Sequence, residues 1–190
     1  MKLRMVAGRF KGQYITVRGQ AEKFRPTLER NRRAVADAVQ PLIDNACVGD
    51  FCAGSGAIGF ELISRGAKKV CFVENNRIRS QGIRKQADRW GINAECSVVE
   101  NDIRSYVGKC TERFDIIYFD PPYDVSDLSL IVPRIIQLLK PDGVLLYERR
   151  RRRGEKKSFV GGNPCMIKKK IMGDSVIEFF RNDNIDRIRE

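Results

Sequence analysis

Two short stretches carry residue types that can do chemistry together. The first is Phe119-Asp120-Pro121-Pro122-Tyr123. Two consecutive prolines fix φ and remove two N–H donors, which leaves a stiff turn whose carbonyls are free to accept. Asp120 and a proline carbonyl then form a pair of acceptors suited to both hydrogens of an exocyclic amino group. The amine of guanine, adenine or cytosine is a poor nucleophile, because its lone pair is delocalised into the ring. Two acceptors on its hydrogens draw the nitrogen towards sp³ geometry and free that lone pair for in-line attack. Tyr123 adds a face on which a base can stack, once the base has left its helix or been presented by a loop. Taken alone, Asp-Pro-Pro-Tyr also suits an ordinary turn, since Asp and Pro are common turn residues.

The second stretch, Asp50-Phe51-Cys52-Ala53-Gly54-Ser55-Gly56-Ala57-Ile58-Gly59, contains a G-x-G-x-x-G. Its glycines permit a tight turn and close approach of a ligand to the backbone, and Glu74, next to Asn75, supplies a carboxylate for two ribose hydroxyls. An NAD-type dinucleotide satisfies that pattern, and so does a tight turn with no ligand. Charge separates the nucleotide cofactors. A dinucleotide sets its pyrophosphate at the helix N-terminus, where the Asp50 carboxylate would repel it. S-adenosylmethionine (SAM) has no phosphate and carries a sulfonium and an ammonium, which Asp50 would stabilise. Asp102, followed by Ile103, falls where a carboxylate can bind the adenine amino group, although an Asp at that point equally suits a helix N-cap. Ala53, Gly54, Ser55 and Gly56 complete the expected cofactor contacts.

This chemistry works without histidine, and the chain has none. That absence removes the commonest general base and the Ser-His-Asp class of mechanism. A sulfonium methyl is already activated, so catalysis reduces to positioning and electrostatics, with the proton leaving late through Asp120 or water. Six cysteines show no C-x-x-C pair, so no metal site is expected and the thiols read as buried or idle.

Elements must bring these stretches together. Cys47–Cys52, Val70–Glu74, Ala94–Val99, Phe114–Asp120 and Gly143–Glu148 read as strands. Ala57–Arg65, Arg77–Trp90, Ile103–Val107 and Ser126–Leu139 read as helices between them. The alternation predicts right-handed crossovers and a doubly wound, mostly parallel α/β sheet. In such a sheet ligands sit beyond the carboxyl ends of the strands, so both stretches face one crevice. Met166–Met172 and Ser175–Arg181 flank Gly173-Asp174, a hairpin turn that would end the sheet in antiparallel strands. Upstream, Leu3–Ala7 and Gln13–Val17 read as a glycine-turned hairpin, and Thr27–Val39 as a helix entered through Pro26. The expected division is a basic extension over residues 1–45 and a catalytic domain over 46–190.

Charge gives the partner. Of the formal +12 over 190 residues, residues 1–33 contribute +8 and Arg149–Lys157 contribute +6, leaving −2 for the rest. A near-neutral globule with two basic patches suits a polyanion, either nucleic acid or an anionic membrane surface. The chain is 42% hydrophobic, enough for a substantial core. It has no apolar run long enough to span a bilayer and no signal-peptide stretch in Met1–Phe10, so a cytoplasmic protein is expected.

These residues resemble a known family. Asp50–Gly59, Ser64-Arg65-Gly66-Ala67, Glu74-Asn75-Asn76 and Phe114–Tyr123 are similar to the bacterial 16S ribosomal RNA guanine-N2 methyltransferases. The opening Ala7-Gly8-Arg9-Phe10-Lys11-Gly12 and Phe24-Arg25-Pro26-Thr27 resemble that family as well and point to it in particular. The resemblance implies a seven-stranded, Rossmann-like SAM-dependent methyltransferase fold whose N-terminal hairpin helps hold ribosomal RNA. It also implies that Arg25 and Thr27 lie near cofactor and base. The partner would be ribosomal RNA or an assembling small subunit, met by a monomer.

The expected RNA contacts are Arg9 and Lys11 in the hairpin, with Arg25 and Thr27 beyond it, and the run Arg149, Arg150, Arg151, Arg152 and Arg153. That run follows the fifth core strand and would leave the sheet beside the tetrad; a solvated loop is the plainer reading of it. Phe10 can stack on a base or pack against its own domain. Three other functions stay open: an adenine or cytosine amino-methyltransferase acting on DNA or another RNA, a catalytically idle RNA-binding protein of the same fold, and a nucleotide-dependent oxidoreductase.

Overall fold

The computed structural model describes residues 1–17, 29–122, 126–151 and 165–182. The strands are β1 (Lys2–Arg4), β2 (Tyr14–Thr16), β3 (Cys47–Phe51), β4 (Lys69–Glu74), β5 (Cys96–Glu100), β6 (Phe114–Phe119), β7 (Leu139–Arg150), β8 (Cys165–Met172) and β9 (Ser175–Arg181). The helices are α1 (Glu29–Ala38), α2 (Gln40–Ile43), α3 (Ala57–Ser64), α4 (Arg77–Trp90), α5 (Ile103–Lys109) and α6 (Val132–Ile136).

Seven strands form one sheet in the order β5-β4-β3-β6-β7-β9-β8. β3, β4, β5, β6 and β7 are parallel, and β9 pairs antiparallel with both β7 and β8. Chain order reverses between β3 and β6, so the crevice of this doubly wound sheet opens where those two strands end. Alternate side chains feed two cores. Val48, Ile116, Tyr118, Val144, Leu146 and Ile177 join one, while Phe51, Ile117, Phe119, Leu145, Tyr147 and Phe180 join the other. Burial on both faces explains why these strands read as nearly unbroken apolar runs.

The N-terminal hairpin, β1 with β2, lies on the first of these faces. Met5, Ile15, Val35 and Ile43 belong to the same apolar cluster as the sheet, so the extension shares its core with the rest. Its anchor is α3. The fully buried Glu61 accepts the N–H groups of Val6 at 3.0 Å and Ala7 at 2.9 Å. The Ser64 hydroxyl donates to the Ala7 carbonyl at 2.5 Å and accepts the Phe10 N–H at 3.0 Å. Gly8, at φ +74°, passes so close that a Cβ would stand 1.8 Å from the Ser64 carbonyl oxygen; no larger residue fits.

Three expected elements differ. Ser126–Leu139 is not one helix: a 3-10 segment covers Ser126–Ile131, α6 follows with Pro133 in its first turn, and Leu139 already belongs to β7. Leu139 pairs with Phe114, after which the register shifts until Val144 meets Ile116. The arginine run is likewise not a loop from its first residue. Arg149 and Arg150 are the last residues of β7, paired with Val176 and Ser175 of β9. Residues 94–95 form a 3-10 turn that delays β5 to Cys96.

Candidate active site

The glycine loop joins β3 to α3. Gly54 and Gly56 have φ of 58° and 72°, conformations that favour glycine because a Cβ would crowd the backbone there. Asp50, next to last in β3, is only 2% exposed, and its carboxylate accepts the Gly59 N–H at 2.9 Å. A Cβ on Gly59 would meet Phe72 at 2.3 Å and Asp50 Oδ2 at 2.9 Å, so the third glycine of the motif lets α3 seat against the sheet. Glu74, at the end of β4, accepts the Gly54 N–H at 2.7 Å and the Asn76 N–H at 2.9 Å. Arg79 stands 3.7 Å from it. Ala53 is held by its N–H on the Val73 carbonyl at 3.0 Å, and the Gly56 N–H closes the turn onto the Ala53 carbonyl at 2.8 Å.

On the same crevice, Asp120 follows β6 with its N–H directed at the Phe51 carbonyl, 3.4 Å away. Pro121 is buried and Pro122 exposed; Tyr123 lies outside the described residues. Burial, then the charges of Glu148 and Asp50, hold the Asp120 carboxyl well above the usual carboxylate range. Burial likewise pushes Asp50 up to about 7, against the lowering effect of the Gly59 N–H and with Glu74 raising it further. Glu148 on β7 is 3% exposed and accepts the Tyr118 hydroxyl at 2.6 Å. Burial, with Asp120 and Glu148 beside it, keeps Tyr118 protonated by raising its pKa well above the ordinary value. Tyr118 and Glu148 were not singled out from the sequence. Both are strand residues, and only the pairing of β6 with β7 turns them towards Asp120.

The remaining expected site residues divide. Ser55 is half-buried in the loop and Asn75 is exposed just after Glu74. Asp102 is the N-cap of α5, accepting the N–H groups of Arg104 at 2.9 Å and Ser105 at 3.3 Å. Ile103 is buried and packs in the second core. Arg9 is paired with Glu95 and lies over the Phe10 ring. Phe10 stacks on Trp90, ring centroids 4.5 Å apart, so it packs against its own domain. Lys11 is exposed. Arg149 is bound to the fully buried Glu178 at 2.5 Å and 2.9 Å, which corrects its place in a solvated run. Arg150 and Arg151 are exposed, and the Arg151 N–H holds the Asp174 carbonyl at 2.7 Å. Arg25, Thr27, Arg152 and Arg153 lie outside the described residues.

The donor set decides the cofactor class. Asp50, Glu74 and Asp120 gather around the ends of β3, β4 and β6, and among the described residues the charges that bear on Asp50 and Asp120 are carboxylates. That surrounding repels a pyrophosphate and favours a ligand with positive charge. No group of His, Cys, Asp and Glu among the described residues is arranged to hold a metal ion. A doubly wound sheet of this order, a glycine loop entered through a buried acid, a ribose-type carboxylate on the second strand and an Asp-Pro-Pro turn on the fourth define a SAM-dependent methyltransferase.

Residues 3–181 match the family described as Conserved hypothetical protein 95, and the chain belongs to that family. Ribosomal RNA small subunit methyltransferase D of Escherichia coli K12 is 30% identical over 148 residues, covering 77% of this chain and 71% of that protein. The protein of the same name from Haemophilus influenzae is 26% identical over 186 residues, covering 95% and 94%. Among solved structures, Escherichia coli yhhF superimposes with a TM-score of 0.78 at 23% identity, covering 95% of this chain and 97% of that one. These findings bear out the resemblance carried by the motifs.

Proposed function

We propose that the chain transfers a methyl group from SAM to the exocyclic N2 amine of a guanine in 16S ribosomal RNA, in the cytosol. The observation that carries this reading is the placement of Asp120-Pro121-Pro122 at the end of β6, adjacent to the glycine loop of β3. When bound, the donor supplies an activated methyl group. Asp50 and Glu74 would hold its cationic and ribose portions at the loop, and Asp102 its adenine. Asp120 and a proline carbonyl would accept the hydrogens of the amine, and Tyr123 would stack on the base. The relatives named for small-subunit ribosomal RNA support this choice of substrate, as does the N-terminal motif.

The hairpin also fits an RNA-facing role by position. Its outgoing strand passes the glycine loop, since Thr16, Val17, Gly54, Ser55 and Arg79 line one small crevice and the Thr16 N–H holds Gln86 at 3.2 Å. Arg25 and Thr27 follow from there in the chain. Lys11 on the hairpin, Arg150 at the end of β7 and Arg151, Arg152 and Arg153, which follow it in the chain, are the proposed phosphate contacts.

The test is incubation with methyl-labelled SAM and either undermethylated small ribosomal subunits or naked RNA, followed by nucleoside mapping. Label on N2-methylguanosine is the expected result. Label on adenine or cytosine overturns the choice of base, and calorimetric binding of NAD without SAM overturns the cofactor.

A further inference from the structure

Glu148 touches neither the glycine loop nor the Asp-Pro-Pro turn through a hydrogen bond among the described residues, yet its position is costly. It is buried, and its Oε2 accepts the neutral Tyr118 hydroxyl. Among the described residues no Lys or Arg forms an ion pair with its carboxylate. Elsewhere in this chain a buried glutamate has one: Glu61 is paired with Arg65 at 3.1 Å and Glu178 with Arg149 at 2.5 Å. A buried carboxylate left without a cation costs several kcal/mol, by order of magnitude. The Tyr118 hydroxyl needs an acceptor here, but a neutral amide would serve as well as a charged carboxylate.

Strand register shows what the charge faces. Tyr118 is the Cα partner of Leu146 on β7 and of Asp50 on β3. Alternate residues share a face of the sheet, so Tyr118, Asp120, Glu148 and Asp50 all turn to one side. Asp120 lies one residue beyond the last registered pair of β6 and β7, Phe119 with Tyr147, which sets it opposite Glu148. The groups that face Asp120 are Asp50 from β3, Tyr118 on its own strand, Glu148 from β7 and the Cys52 thiol after β3, with Glu74 and Asp102 further round the loop. Burial pushes the Cys52 thiol up, so it is neutral. The charged members are all carboxylates.

We propose that Glu148 is a positioning residue for methyl transfer, acting through Asp120: fixed by the Tyr118 hydroxyl, its negative charge strengthens Asp120 as the acceptor of the proton that the amine gives up. This rests on the assignment of Asp120 to the amine. In the transfer, the amine nitrogen forms a bond to the methyl carbon while the carbon–sulfur bond breaks and its electron pair stays on sulfur. The nitrogen then carries the positive charge, and its surplus proton passes to Asp120. A carboxylate of ordinary acidity is a weak acceptor for that proton. One hemmed in by Glu148 and Asp50 holds it more firmly. The upward displacement of the Asp120 pKa agrees in direction.

The test uses the full chain with its RNA substrate and two readouts, the pH dependence of single-turnover methyl transfer and carbon-13 NMR titration of the Asp120 carboxyl. Glu148→Gln keeps an acceptor for Tyr118 and removes only the charge. It is expected to move both the acidic limb of the rate profile and the Asp120 midpoint downwards by about one pH unit. An unmoved limb and midpoint overturn the proposal. So does an Asp120 midpoint within the ordinary carboxylate range in the unaltered protein, a measurement that needs no variant to fold. Asp120→Asn separates the two levels. If it keeps full turnover, the role of Asp120 itself fails; if it is inactive while Glu148→Gln changes nothing, only the role of Glu148 fails.

Discussion

The two ends of β6 treat a carboxylate in opposite ways. At the amino end, Asp115 accepts the Cys47 N–H at 2.8 Å and the Lys140 ammonium at 2.8 Å. At the carboxyl end, Asp120 is faced by Asp50, Glu148 and the hydroxyl of Tyr118, and the charges acting on it among the described residues are negative. Glu61, under the hairpin, follows the first pattern, with two backbone N–H groups and Arg65 satisfying it. An acid that holds structure is given its cation by the fold. Asp50 and Asp120 in the crevice are left with negative neighbours, a cost in stability that a cationic ligand can offset.

Asp120→Ala is expected to break the crevice most completely. Methyl transfer should fall by at least about 10²–10³-fold, the usual effect of removing one acceptor or donor at the reacting group, while SAM binding persists. Filter binding alongside a turnover assay checks both, and unchanged turnover would remove Asp120 from the reaction.

Glu61→Ala should act on the other side of the comparison. It strands two buried backbone donors and takes one partner from Arg65, which keeps Asp37 and Gln40, so unfolding free energy should drop by about 3 kcal/mol, read from urea denaturation. A loss of activity in protein still fully folded would instead give Glu61 a functional role.

The pH response should differ next. Asp50 is pushed to about 7 from 3.8, so between those values the folded chain binds a proton that the unfolded chain has released. Ligand-free stability from this group is therefore gained as pH falls from about 7 towards 4, and lost as pH rises, at up to about 1.4 kcal/mol per pH unit. A cationic donor reverses that trend. SAM should raise the melting temperature more at about pH 8 than at about pH 6, and S-adenosylhomocysteine, without the sulfonium charge, should show a smaller difference. Equal shifts at both pH values would mean the edge is ionised without ligand.

The arginines give the smallest effect. Replacing Arg150 to Arg153 by Ser should flatten the slope of log K against log salt by roughly 0.7 for each lost phosphate contact. Arg149→Ser should chiefly lower stability, because it strands Glu178. An unaltered slope in the first variant would mean that those four side chains are only solvated.

The legibility of these features follows their range. Motif residues on one turn were readable because a turn is local: the glycine loop, Glu74 at the end of its strand and Asp120-Pro121-Pro122 all stand where their spacing placed them. Asp102 had two local readings, and its cap on Arg104 and Ser105 is the one seen in the geometry. The break in Ser126–Leu139 was not readable, because a helical apolar period survives while sheet pairing to Phe114 draws Leu139 away. Arg9 and Arg149 read as cations open to RNA, and Phe10 as a ring that could stack on a base or pack against its own domain. Their partners Glu95, Glu178 and Trp90 lie 86, 29 and 80 positions away in the chain, and no pattern in sequence announces such pairs.

By itself, then, the sequence determined the reaction class, because the glycine loop and the Asp-Pro-Pro turn carry their chemistry within a few bonds of backbone. It also determined the doubly wound sheet, since apolar runs alternating with helical periods have few other ways to bury both faces. Only the tertiary structure decided which charges are spent and which are held in tension. Arg9 and Arg149 are neutralised by residues from other elements, while β3, β6 and β7 bring Asp50, Asp120 and Glu148 to one face. The physical reason is that a charge acts on its surroundings through space, and the order of strands, not the order of residues, sets those distances.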